Sequence, residues 1–149
     1  MTARTTPPFR ADHVGSFLRP TYLLDAREEF FVKKTIDAAQ LRAVEDRAIA
    51  EIVKFQQDVG LQSITDGEFR RTYFHLDFLE QLGGVKTDIP VTIRKPDGSE
   101  ELAPPVIRVT GKVRHVKDIQ KADFEYLKSQ VAAGLTPKVT IPSPTMLHF

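Results

Sequence analysis

The sequence predicts an α/β fold in which helices separate parallel strands and one β-hairpin is inserted. Three observations predict it. Residues 38–59 carry an apolar helical period closed by a glycine. Short β-rich runs at 9–16, 61–65 and 138 onward are each separated by helical stretches, an order that favours parallel pairing. Between them, residues 91–113 alternate in the two-residue period of a hairpin around Pro96-Asp97-Gly98.

Each element follows in order. Residues 1–8 are polar, end in Pro7-Pro8 and are expected to be an extended tail. "FRADHVGS" (9–16) reads as a short strand ending at Gly15. "FLRPTYLLDAREEFF" (17–31) places Pro20 in the first turn of a helix, where its missing N–H costs nothing. Asp37 followed by Gln40 has capping-box spacing. Leu41, Val44, Ala48, Ile52, Phe55 and Val59 then form the expected buried face, and Gly60 stops the helix. "LQSIT" (61–65) is the second strand. Residues 69–82 return to helical spacing through Phe74, Phe78, Leu79 and Leu82 and are expected to stop at Gly83-Gly84. After the hairpin, Asp118 opens a helix carrying Phe124, Leu127 and Val131, which ends at Gly134. "KVTIPSPTMLHF" (138–149) starts as a buried strand.

Composition excludes several classes of function. Charged residues are 28% and hydrophobic ones 41% of 149 residues, an ordinary balance for one domain. The formal net charge of +1 gives no basic excess for nucleic acid or an anionic membrane. No apolar run approaches the roughly 18 residues of a membrane span. Met1 to Arg10 has no signal-peptide core, so a cytoplasmic setting is expected. With no cysteine, the chain has no disulfide, thiol nucleophile or Cys-ligated zinc of its own.

Polar residues gather where the three expected parallel strands end: Asp12, His13 and Ser16; Asp66 and Glu68; Ser143, Thr145 and His148. In parallel α/β folds that end holds the ligand. Three strands do not close a barrel, which typically needs about 250 residues. A sheet ending at "KVTIP" leaves an apolar edge, so self-association through it is expected.

"HVGS" near the start, "DGEF" after the second strand, "PPVIRVTGKV" in the hairpin and "IPSPTML" on the third strand resemble the cobalamin-independent methionine synthases. The likeness is greatest to proteins that contain only their C-terminal catalytic barrel, and it covers nearly the whole chain in order. It implies a partial (β/α)8 TIM barrel: about the first three parallel strands with their helices, residues 1–149 being its N-terminal portion and 91–113 the hairpin insertion. It implies methyl transfer from methyltetrahydrofolate, usually polyglutamylated, to the thiol of homocysteine. The family's zinc binds that thiol as thiolate. Its ligands, a His, two Cys and a Glu, come later in the family's chains, so this chain by itself is expected to be inactive.

The resemblance also assigns site residues. Glu68, the acid of "GEF", corresponds to the residue that pairs with the α-ammonium of the amino-acid substrate, a charge-assisted hydrogen bond. The alternative is a helix N-terminal carboxylate favoured by the dipole. Val14, Gly15 and Ser16 correspond to donors for the substrate carboxylate, while Ser16 alternatively caps a helix. His13 and Asp66 are further candidates. His13 is alternatively bonded to its neighbours, and Asp66, where the family more usually has His, alternatively orients Arg70 or Arg71. Those arginines read as a solvated face, a partner for Asp66, or an anion clamp for a glutamate tail. Thr72-Tyr73 stands near the position where the family typically has an Asn-Asp pair, a departure from its pattern that bears on the acceptor. Relatives with the same barrel act on other thiols, such as coenzyme M. A small α/β module that binds an amino acid or an anion without chemistry is the alternative to an enzyme.

Overall fold

The structure is a computed structural model and describes residues 4–9, 13–88, 92–102 and 105–148. The chain divides into two compact units, Met1–Arg70 with Ala122–Thr140, and Arg71–Lys121 with Ile141–Phe149.

The first unit is organised by its long helix. Pro20, extended at φ −65°, caps α1 (Thr21–Glu28), which loosens into a π-helical turn at Glu29–Lys33 and stops at left-handed Lys34. α2 (Ala38–Asp58) starts at the expected capping box, with Gln40 N donating to Asp37 and Asp37 N donating to Gln40, both at 2.8 Å. It ends at Gly60, whose φ of +83° a Cβ would disfavour. The buried stripe of α2 is Leu41, Glu45, Ala48, Ile49, Val53 and Gln56. This corrects the expected face. Phe55 and Val59 are 53% and 56% exposed, while Val44 and Ile52 pack only at the edge of the core. The helix is rotated because Glu45 and Gln56, which an apolar count passes over, have buried partners and so can face inward.

The core of this unit is Leu23, Ala48, Ile49, Val53, Ile64, Phe69 and Leu127, each at most 1% exposed. It draws on α1, α2, the strand β1 (Ser63–Ile64), the loop after it, and α4 (Lys121–Gln130). At roughly 1.5–3 kcal/mol for each large side chain removed from water, this cluster is the main favourable contribution to the unit's folding. α4 begins three residues later than Asp118, after left-handed Gln120. β1 pairs in parallel with β6 (Thr136–Pro137), Ser63 opposite Thr136 and Ile64 opposite Pro137. Thr136 N and Lys138 N donate to Gln62 O and Ile64 O at 2.9 and 2.8 Å. The intervening Pro137 has no N–H, and the parallel pattern asks none of it. The last strand therefore lies earlier than the expected start at 138, and Val139 is 43% exposed.

The expected first strand is also corrected. Arg10, Ala11 and Asp12 lie outside the described residues, and 13–16 form no ladder. This segment runs beside β1 through side-chain bonds instead. His13 Nε2 lies 3.0 Å from Ser63 O, and Thr65 Oγ1 donates to Gly15 O at 2.7 Å.

The second unit holds α3 (Leu76–Leu79) and two antiparallel pairs, β2 (Gly83–Thr87) with β5 (Ile107–Arg114) and β3 (Thr92–Arg94) with β4 (Glu100–Leu102). The hairpin is present, turning through Lys95–Ser99, where Lys95 N donates to Ser99 O at 2.8 Å. Its expected second half is different: β5 pairs with β2, not with β3. The helix expected over 69–82 shrinks to four residues. The Asp77 carboxylate accepts from Thr72 N and Tyr73 N at 2.6 and 2.8 Å, which satisfies a turn where a helix would need its own ladder. Gly83-Gly84 opens β2 rather than closing a helix, and a Cβ on Gly84 would meet Lys112 O at 2.6 Å.

One buried contact sets the end of β1. Gln56, fully buried, donates from Nε2 to Thr65 O at 2.8 Å and accepts from Thr65 N at 2.9 Å. Replacing it by Leu strands a buried donor and acceptor. The expected loss is about 2–4 kcal/mol of unfolding free energy. Urea denaturation checks it, and a Gln56→Leu midpoint equal to that of the unaltered chain would remove this tether from the account.

Candidate functional site

The site grows from the exit of β1. Thr65 is 1% exposed, and its hydroxyl donates to Gly15 O while accepting from Gly67 N at 3.2 Å. Asp66 Oδ1 accepts from Glu68 N at 2.9 Å, an Asx-turn that reverses the chain. Gly67 and Glu68 are then both left-handed, at φ +69° and +59°. Glycine adopts this freely, but for glutamate it costs about 1–2 kcal/mol. The turn sends Phe69 into the core at 1% exposure. Glu68 is itself 8% exposed, and its Oε1 accepts from Thr140 Oγ1 at 2.5 Å.

Thr140 follows β6 as Glu68 follows β1, so the contact joins the C-terminal ends of the two parallel strands. An open cleft of about 540 Å³ is lined there by His13, Val14, Lys138 and Thr140. Lys138 Nζ donates to the carbonyl of His13, which places an ammonium group in the wall. The cleft thus has a positive group in its lining and a carboxylate bonded to one of its lining hydroxyls. That is a chemistry suited to a small zwitterion.

The sequence candidates separate clearly. His13 and Val14 reach the cleft. His13 is half-buried, bonded to Ser63 O and edge-on to the Phe17 ring at 5.5 Å, while Val14 is 75% exposed. Glu68 reaches Thr140 of the same lining. Ser16 is exposed and is not a helix cap, because Pro20 occupies that position. Asp66 shapes the turn, and it does not take Arg70 as its partner. Arg70 points into a partly buried cluster: Nη1 lies 2.9 Å from Glu45 Oε2, Nε 3.3 Å from Asp123 Oδ1, Nη2 bonds Asp46, and the group sits 5.5 Å from the Tyr126 ring. Burial pushes the Glu45 carboxyl above its ordinary value, against the opposing pull of Arg70 and Arg27. Arg70 is thus neither a solvated face nor an exposed anion clamp. Arg71 lies in the second unit and donates to Phe74 O at 3.4 Å. His148 ends the short 3-10 turn Pro144–His148 of that unit.

Lys138 and Thr140 were missed among the sequence candidates. "KVT" reads as the start of a buried strand, and only the earlier end of β6 releases both residues to the cleft. Among the described residues no three His, Asp or Glu side chains converge to hold a metal ion, and the chain has no cysteine. The residues present do not fit a zinc centre of the thiolate-rich kind.

Gly15, next to Val14 of the cleft lining, packs closely on Thr65. At φ +120°, a Cβ there would lie 2.8 Å from Thr65 Cγ2. Gly15→Ala is expected to destabilise the chain by about 1–3 kcal/mol through strain and the pushed Thr65. Thermal melting checks it, and an unchanged melting temperature would contradict the close approach.

Comparison with known proteins supplies the family. Residues 9–147 match the family described as "Cobalamin-independent synthase, Catalytic domain". The chain is 43% identical over 142 residues to the uncharacterized protein YxjH of Bacillus subtilis, covering 95% of this chain and 37% of that protein. It is 28% identical over 135 residues to the 5-methyltetrahydropteroyltriglutamate–homocysteine methyltransferase of Thermosynechococcus vestitus, covering 91% of this chain and 17% of that one. Among solved structures, one assigned to the vitamin-B12 independent methionine synthases of Listeria monocytogenes superposes with a TM-score of 0.76 at 42% identity, over 95% of this chain and 38% of that one. A B12-independent methionine synthase from Shewanella sp. W3-18-1, solved with selenomethionine, shares the fold at a TM-score of 0.59 and 24% identity, over 76% of this chain and 32% of that one. The chain spans a little over a third of the length of the first two curated relatives, 37% and 38%. With a mixed α/β fold, a parallel pair and this match, the chain belongs to the cobalamin-independent methionine synthase family, within its catalytic domain.

Proposed function

We propose that this chain forms the amino-acid-binding part of a cobalamin-independent homocysteine methyltransferase, contributing about the first three strands of a (β/α)8 barrel. The observation that carries the proposal is Glu68: a buried carboxylate, bonded to Thr140, at the C-terminal end of a parallel pair. A carboxylate held there presents a charge-assisted acceptor to an α-ammonium group. The Ser16 hydroxyl and the backbone of Val14 and Gly15 receive the α-carboxylate from the opposite side, with His13 and Asp66 shaping the wall and the turn. Held at both ends, the amino acid leaves its thiol side chain directed away from these groups.

The reaction transfers a methyl group from the nitrogen of methyltetrahydrofolate to sulfur. The part played by this chain is orientation: it has no cysteine, and among its described residues no three metal-type side chains converge. These 149 residues alone are therefore expected to show no methyl transfer. A cytoplasmic setting, and self-association through the sheet edge beside β6, belong to the same proposal.

A second acceptor is favoured by one feature, Thr72-Tyr73 where the family usually has Asn-Asp. A thiol without an amino group would not need Glu68, so one experiment separates the acceptors. Calorimetry of the chain with L-methionine, L-homocysteine and 2-mercaptoethanesulfonate is compared with Glu68→Gln. Loss of the charge partner is expected to weaken both amino acids at least tenfold, a 1.4 kcal/mol effect or more. Equal affinity of the Gln variant for methionine would sink the ammonium-anchor role. Tight binding of the sulfonate thiol alone would move the proposal to the other acceptor.

A further inference from the structure

Four consecutive carbonyls of the loop, from Gly67 to Arg70, accept hydrogen bonds from one stretch of chain. Phe17 N donates to Gly67 O at 3.1 Å. Arg19 donates from Nη2 to Glu68 O at 2.9 Å and from Nε to Phe69 O at 3.2 Å. Arg27 Nη1 donates to Phe69 O at 3.4 Å and to Arg70 O at 2.9 Å. Arg19 directly precedes the Pro20 cap of α1, and Arg27 lies in its last turn, so both ends of one helix grip the same loop.

Such a grip is more than satisfaction of buried carbonyls. A loop carrying two successive left-handed residues directs its carbonyls where neither a helix nor a strand ladder can meet them. Glutamate does not hold φ +59° by its own preference. Something outside the loop must over-determine that conformation. The planar guanidinium of Arg19 does so with two donors fixed relative to each other, one on the carbonyl of the Glu68–Phe69 peptide that leaves Glu68 and one on the next carbonyl, while Phe17 N holds the Gly67 carbonyl of the peptide that enters it. Arg27 is itself fixed, with its side chain 11% exposed and Nη1 3.4 Å from Glu45 Oε1.

We infer, resting on the proposed function above, that Arg19 and Arg27 are positioning residues for Glu68: Arg19 fixes the peptide that leaves Glu68, Arg27 holds the chain that follows it, and together they keep the left-handed turn that aims the Glu68 carboxylate at Thr140 and the cleft. Neither arginine is among the residues that line the cleft. Their effect on binding passes through the backbone of the loop.

The test has one readout without ligand and one with it, both on the full chain. Backbone Cα and Cβ chemical shifts of residue 68 report its left-handed conformation directly. In Arg19→Met these shifts are expected to leave the left-handed range, and the affinity for L-methionine to fall by about ten- to a hundred-fold. In a Glu68→Gln background the same substitution is expected to cost almost no further affinity, because the carboxylate being aimed is gone. Arg19→Lys, which keeps the charge but loses the planar fork, is expected to fall between the two. Unchanged residue-68 shifts in Arg19→Met would overturn the inference, as would an affinity loss of equal size in both backgrounds. Should Arg19→Met not fold, native residue-68 shifts in Arg19→Lys would overturn it. If the unaltered chain binds no L-methionine, the amino-acid proposal fails, and the residue-68 shifts still decide the positioning role.

Discussion

The amide of Gln56 bonded to both backbone groups of Thr65 is the constraint on which the rest of the first unit depends. A side chain from α2 takes the place that a neighbouring strand would occupy and fixes Thr65, the residue that follows β1. From Thr65 the order spreads in two directions. Its hydroxyl fastens the 13–16 segment through Gly15 O, and it accepts from Gly67 N at the start of the turn. α2, the turn after β1 and the 13–16 segment fifty residues earlier therefore meet at one threonine. A buried network of this kind stabilises only when every member is satisfied, which is why a single replacement at Gln56 reaches the site.

The loop after Thr65 stores conformational strain and has charged supports. Left-handed Glu68 would relax toward ordinary backbone if the loop were free. It is bounded by Phe69 in the core, by hydrogen bonds to its carbonyls, and by Arg70 in the cluster with Glu45, Asp46 and Asp123. Burying these charges is costly, and replacing such clusters by apolar groups often leaves stability unchanged or improved. What the cluster contributes is direction. Arg70 anchors one end of a five-residue stretch whose other end is Asp66, and Glu68 between them has one orientation.

Chemically, the outcome is a carboxylate at the exit of β1 that meets a hydroxyl at the exit of β6. Parallel pairing brings these two exits together by its geometry, which is the physical reason such ends recur as ligand sites. Lys138 in the cleft wall adds the opposite charge.

Much of this was legible in the sequence, because local signals act locally. Asp37 and Gln40 begin α2 and Gly60 ends it through hydrogen bonds and dihedral preferences within a few residues. The hairpin turn at Pro96-Asp97-Gly98 and the "DGEF" turn with its candidate acid were readable for the same reason. The sequence by itself also determined the family, through ordered motifs over nearly the whole chain. Tertiary structure alone decided the rest. It rotated α2 because Glu45 and Gln56 find buried partners twenty-five positions and nine positions away, which no periodicity encodes. It cut the helix at 69–82 to one turn because Asp77 captured two amides, and it moved the last strand earlier, so that Lys138 and Thr140 reached the cleft. It also brought Arg19 and Arg27 onto the loop across about fifty and forty-two residues. A residue type limits what bonds a side chain can make, but only the folded chain decides which distant group comes within their reach.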